Sequence, residues 1–116
     1  EGRERVFELI EKNRIGGVLL ISGDRHGARG FRIPRASGFS FYEFEAASLG
    51  GIDWGPKAAV PGCQEQLFGY LGYAFGEFTI AADLPDPTVT FRLISEDGNV
   101  EYEITLPRSQ LTPKGA

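Results

Sequence analysis

The sequence predicts an α+β fold: one amphipathic helix at the start, then a mostly β region, in a single domain over residues 1–116. Three observations carry this. A helical period of apolar residues runs through 3–14. A continuous apolar run, GVLLIS, follows at 17–22. A two-residue alternation fills 88–106, broken by Ser95-Glu96-Asp97-Gly98-Asn99. The length suits one domain with a modest core.

The helix is expected over 3–14. Val6, Leu9, Ile10 and Asn13 fall on one face at the i, i+3, i+4, i+7 spacing, and Phe7 extends the stripe. Glu8 and Lys12 form a favourable i, i+4 pair, and Gly16-Gly17 fits a helix stop followed by a turn. Residues 17–22 have no alternation, which is how a strand buried on both faces reads. Functional residues collect beyond the carboxyl ends of strands in open α/β sheets, and Gly23, Asp24, Arg25 and His26 stand at that end.

A second strand is expected within 37–48, paired with the first. Phe39, Phe41 and Glu43 face one way and Tyr42 and Phe44 the other; together, 17–48 form the core strands. Residues 49–74 read as a loop region rich in Gly, Pro and aromatics. Strands are expected over 75–106. Phe75 and Glu77 oppose Gly76, Phe78 and Ile80, Pro85 and Pro87 punctuate, and a hairpin closes the region. In the hairpin, Val89, Phe91 and Leu93 and then Val100, Tyr102, Ile104 and Leu106 make one apolar face. Residues 107–116 form a tail, of which LTPKGA at 111–116 is expected to fray.

The net charge of −4 gives no general attraction to nucleic acid or to an anionic membrane surface. No apolar run approaches the roughly 20 residues of a membrane-spanning helix. Gly16 to Gly115 includes most of the chain's 16 glycines, which suits many turns and close backbone approaches. The single cysteine, Cys63, excludes an internal disulfide and reads as a small apolar residue, since no activating partner stands near it in sequence. The chain contains no methionine. A start Met is normally trimmed only before a small residue, and Glu1 is not small, so these residues are expected to be cut from a longer precursor.

Asp24 and His26 carry the chemistry. Two apart on extended backbone, they project to one side, where a carboxylate and an imidazole make a pair of metal ligands. The same residues also suit a turn with a hydrogen-bonded structural histidine. A metal needs three or more protein ligands, and the chain has no second cluster to supply them. Arg25, Arg29, Arg32 and Arg35 follow with no acid between Asp24 and Glu43, a local positive segment whose guanidinium forks suit phosphate oxygens. For Arg32 and Arg35 the plainer reading is a solvated hairpin edge whose charges block edge-to-edge pairing.

The stretches LLISGDRH at 19–26 and FYEFEAASL at 41–49 resemble the C-terminal part of alkaline phosphatase D-like (PhoD-like) metallophosphatases, of the calcineurin-like metallophosphoesterase superfamily. In that family a buried strand ends in the last metal-ligand motif, and a strand of the YEF type follows as the chain returns across the sheet. The resemblance covers roughly 1–106 and implies part of a metallophosphatase-type β-sandwich with flanking helices. It implies a metal-dependent phosphoric ester hydrolase that cleaves phosphomonoesters or phosphodiesters at a two-metal centre of calcium, iron, zinc or manganese. On that reading Asp24 and His26 are metal ligands, with His26 also catalytic. Arg25 and Arg29 are the substrate-binding candidates for a small-molecule phosphate ester.

The family's earlier ligand motifs are absent from the 116 residues, so an isolated chain of this sequence is expected to be inactive and, with core surface uncovered, to self-associate. Export to the periplasm or beyond is implied by the resemblance alone. The other reading is a non-catalytic β-rich accessory or binding module, in which the stretch from Trp54 to Tyr73, with Phe68 and Tyr70, contacts a ligand or partner.

Overall fold

The computed structural model describes residues 2–23, 27–46 and 65–114. Helix α1 (Gly2–Lys12) leads into β1 (Leu20–Ser22), β2 (Ala28–Pro34), β3 (Ser40–Glu45), β4 (Glu65–Tyr70), β5 (Ala74–Ala81), β6 (Thr88–Ser95), β7 (Val100–Pro107) and a 3-10 turn at Arg108–Leu111. The fold is α+β: one N-terminal helix and two sheets. The first sheet has the order β1-β3-β2-β4 and the second the order β5-β6-β7. β1 runs parallel to β3, with Leu20 opposite Glu43 and Ser22 opposite Glu45. The remaining neighbours are antiparallel.

The alternation of β3 decides the layering. Phe39 and Phe41 join Phe7, Ile10, Phe31 and Ile33 in one buried cluster, which seats α1 on the first sheet. Tyr42 and Phe44 point through the other face to join Ala28, Ala74, Phe91, Leu93, Leu106 and Leu111 in a second cluster. The first sheet is thus the middle layer, apolar on both faces at its centre. Its rings are fixed by stacking: Phe7 on Phe41 (centroids 4.1 Å apart, planes 15° apart) and Phe44 on Phe91 (4.4 Å, 22°). Phe78 meets Phe44 edge-on at 5.8 Å.

The helix turns a different face inward from the one its spacing predicts. Phe7 and Ile10 are buried, whereas Val6 and Leu9 are more than half exposed. The flat stack of Phe7 on Phe41 sets that rotation, and two guanidiniums, Arg3 and Arg35, lie over the Phe7 ring at 5.3 and 5.1 Å. The helix also stops at Lys12, earlier than 14, because Arg14 takes a left-handed backbone conformation (φ 50°) and the Ile15 amide bonds back to the Ile10 carbonyl.

β1 is three residues long and lies at the edge of its sheet, so it is not buried on both faces: Ile21 is 69% exposed. The arginine-bearing segment 28–34 is itself a strand, and a central one, with β3 on one side and β4 on the other. Arg29 and Arg32 are therefore not on an edge. Residues 65–70 of the expected loop region form β4, whose two Gly-separated aromatics face the sandwich: Phe68 stacks on Tyr102 at 4.4 Å. The rest of that loop region between 47 and 64, with Trp54 and Cys63, lies outside the described residues.

The second sheet follows its sequence pattern closely. In β5, Ala74, Gly76 and Phe78 turn inward while Phe75, Glu77 and Thr79 are exposed, although Ile80, expected inward, is 70% exposed near the sheet's end. In the hairpin Phe91 opposes Ile104 and Val89 opposes Leu106, and a register shift at Leu93/Ile94 brings Val100 opposite Ile94. Gly98 takes φ 82° in the turn and its amide donates to the Ser95 carbonyl. On the outer face Arg92 bridges Glu77 and Glu103 across three strands. The tail does not fray through its first residues: Leu111 and Pro113 are buried, and the Gly17 amide donates to the Leu111 carbonyl at 3.0 Å. Leu111 is apolar enough to close the open end of the second cluster.

Candidate functional site

Asp24, Arg25 and His26 lie outside the described residues, but the chain on both sides of them is fixed. β1 and β2 flank β3 in the sheet order. Gly23 and Gly27, which bound the motif, therefore sit on either side of the carboxyl end of β3. That end carries Glu43 and Glu45, on the same sheet face that α1 covers further along.

Four polar side chains meet there. The Ser22 hydroxyl donates to Glu43 Oε2 at 2.7 Å, tying the last residue of β1 to β3. Arg29, opposite Glu45 across β2 and β3, donates from Nη2 to both Glu45 carboxylate oxygens at 3.5 and 3.4 Å. Glu45 is 4% exposed, so its charge is held away from water and needs such a partner. The Arg29 guanidinium also lies over the Phe31 ring at 5.1 Å. A buried carboxylate, a guanidinium and a carboxylate–hydroxyl pair thus surround the carboxyl end of the parallel strand pair, close in sequence to Gly23 and Gly27.

Of the predicted residues, the structure places Arg29 in this cluster. Arg35 goes elsewhere: it donates to Glu4 (Nη1 to Oε1, 2.9 Å) and to Glu11 (Nε to Oε2, 2.8 Å), pinning α1 to the β2–β3 turn. Arg32 pairs with Glu65 of β4 at 2.7 Å. Half of the basic segment therefore serves the fold.

Glu43 and Glu45 were the functional-site candidates that sequence reasoning missed. The signal was present in β3, where Glu43 shares a face with Phe39 and Phe41; a charge on the apolar face of a strand needs a buried partner. Among the described residues no group of three or more His, Cys, Asp and Glu side chains could hold a metal. Glu43 and Glu45 are instead engaged by Ser22 and Arg29. No family model, curated protein or solved structure matches the chain.

Proposed function

We propose that the chain is the C-terminal part of a metal-dependent phosphatase or phosphodiesterase that hydrolyses small-molecule phosphate esters at a two-metal centre, and that by itself it is inactive. The observation that carries this reading is the placement of Ser22 on one side of the carboxyl end of β3 and of Ala28 and Arg29 on the other, beside a buried carboxylate and its guanidinium partner. The packing of two sheets under a helix suits the metallophosphatase-type sandwich that the motif implies.

In this reading Asp24 offers a carboxylate oxygen and His26 an imidazole nitrogen as the last ligands, and residues outside these 116 supply the others. When bound, the metal pair clamps the phosphoryl group and lowers the pKa of an attacking water. The residues of this chain position and neutralise. The Ser22–Glu43 bond fixes the strand end from which the motif departs. Glu45 holds Arg29 at the rim, where Arg29 and Arg25 attract the phosphate.

The test is hydrolysis of p-nitrophenyl phosphate and bis-p-nitrophenyl phosphate by the longer parent chain, with calcium, manganese, zinc or iron added in turn. Metal-dependent turnover that is lost in both Asp24→Asn and His26→Ala is expected. Turnover unchanged in those variants, or turnover by the isolated 116 residues, would overturn the reading.

A further inference from the structure

A cavity of about 590 Å3 lies at the opposite end of the first sheet from Ser22 and Arg29, between the β2–β3 turn and the 3-10 turn that follows β7. Its volume falls in the range of small-molecule sites. Its floor includes Tyr42 and Arg32, which oppose each other in register on β3 and β2. Phe39 and Pro107 give it an apolar wall, and Gln110 and Lys114 close it from the C-terminal side.

Three side chains of this lining, Arg32, Lys114 and Tyr42, carry donors suited to an anion. Tyr42 is 4% exposed, and its hydroxyl oxygen accepts from Gln110 Nε2 at 2.8 Å. Arg32, opposite Tyr42 in register, lines the same cavity, and a guanidinium can only donate. The hydroxyl oxygen is thus used as an acceptor from Gln110, which leaves the phenol its own proton to donate. Arg32 commits one nitrogen to Glu65 across a solvent-exposed pair, a contact of low strength that leaves the other donors of its fork available. Lys114 has no partner among the described residues. A buried phenol proton, a guanidinium and an ammonium that converge on one cavity match the lone pairs of an oxyanion.

We propose that this cavity binds a small molecule through a phosphate or carboxylate group held by Tyr42, Arg32 and Lys114, with its apolar part against Phe39 and Pro107. The proposal is independent of the metal-centre reading, since none of its residues belongs to that cluster.

The test is an amide NMR titration of the 116-residue chain with inorganic phosphate and, separately, with acetate. Ionic strength is held constant with chloride, and a chelator removes any metal-dependent phosphate binding at Asp24 and His26. Saturable shifts at the amides of Gly38, Ser40, Gln110 and Lys114 are expected, and the tighter of the two anions identifies the headgroup. Tyr42→Phe and Lys114→Ala should each weaken binding roughly fivefold to tenfold. The Lys114 side chain is exposed, so its removal leaves the fold intact even where Tyr42→Phe does not. Shifts that fail to saturate for both anions, shifts that map to the Gly23–Arg29 end, or a Lys114→Ala chain that binds as tightly as the parent would each overturn the proposal.

Discussion

Phe44 of β3 and Phe91 of β6 stack with ring centroids 4.4 Å apart, and both side chains are essentially inaccessible to water. This contact sits within the seam between the two sheets, where Phe44 also meets Phe78 and Phe91 also meets Phe68. Truncation of either ring removes a large buried apolar surface from a region with no room to collapse. Phe44→Ala and Phe91→Ala should each cost about 3–5 kcal/mol, read as a lowered urea midpoint. The double variant should cost less than the sum of the two, because each single change already empties the shared contact. Strict additivity would show that the two sheets are stabilised separately.

Arg35 ties the helix to the first sheet through charge, and that tie is pH-dependent. Its hydrogen bond to Glu4 holds the Glu4 carboxyl below its ordinary value of 4.5. A carboxyl whose folded pKa is depressed contributes stability that is present above the unfolded value and lost as pH falls through the folded one. Replacement of Glu4 by Gln should therefore lower stability near neutral pH. The gap between Glu4→Gln and the parent should close as pH falls below 4.5 and Glu4 takes up its proton. Urea unfolding across that range measures it; a gap of constant size would mean that Glu4 acts through packing and not through its charge.

The buried carboxylate of Glu45 makes a second case at the other end of the same sheet face. Arg29→Met removes its guanidinium partner while keeping much of the side-chain volume, and should cost about 3 kcal/mol. The further change Glu45→Gln in the same chain should recover a large part of that loss, because the buried charge is gone. If the double variant is no more stable than Arg29→Met alone, the carboxylate is stabilised by something other than Arg29.

These contacts also show what the sequence could reveal. The alternation of Phe39, Phe41, Tyr42 and Phe44 announced a strand with two buried faces, and the C-terminal hairpin was legible down to its turn, because period-two patterning directly encodes which side is wet. β2 was not legible as a strand. Its Arg29 and Arg32 look like solvent-facing charges, and only the acids Glu45 and Glu65 on the neighbouring strands make a central position tolerable. Those acids lie 16 and 33 residues away in sequence. β4 was hidden because Gly69 interrupts its pattern. β1 misled in the other sense: an apolar run suggested full burial, but Ile21 lies at a sheet edge, and local composition does not record where in a sheet a strand will sit. The polar cluster at the carboxyl end of β3 was half legible. The Asp24–His26 motif stood out by residue type, whereas the pairing of Ser22 with Glu43 depends on the parallel register of two strands.

Gly30 gives the most local test of the packing. It sits in the middle of β2 where the register against β4 shifts, and a Cβ placed there would stand 2.2 Å from the Phe68 ring. That ring cannot easily retreat, because it is stacked on Tyr102 at 4.4 Å and on Phe91 at 5.8 Å. Gly30→Ala should therefore cost about 1–3 kcal/mol, the range for overpacking a filled interior, even though alanine suits a strand no worse than glycine. Phe68→Leu in the same chain should restore part of the loss by making room for the added methyl, while by itself it should be destabilising. A Gly30→Ala chain as stable as the parent would mean that β4 is free to shift away from β2. A Phe68→Leu change that adds its full cost on top of Gly30→Ala would place the strain in the backbone of β2 instead of in the ring contact.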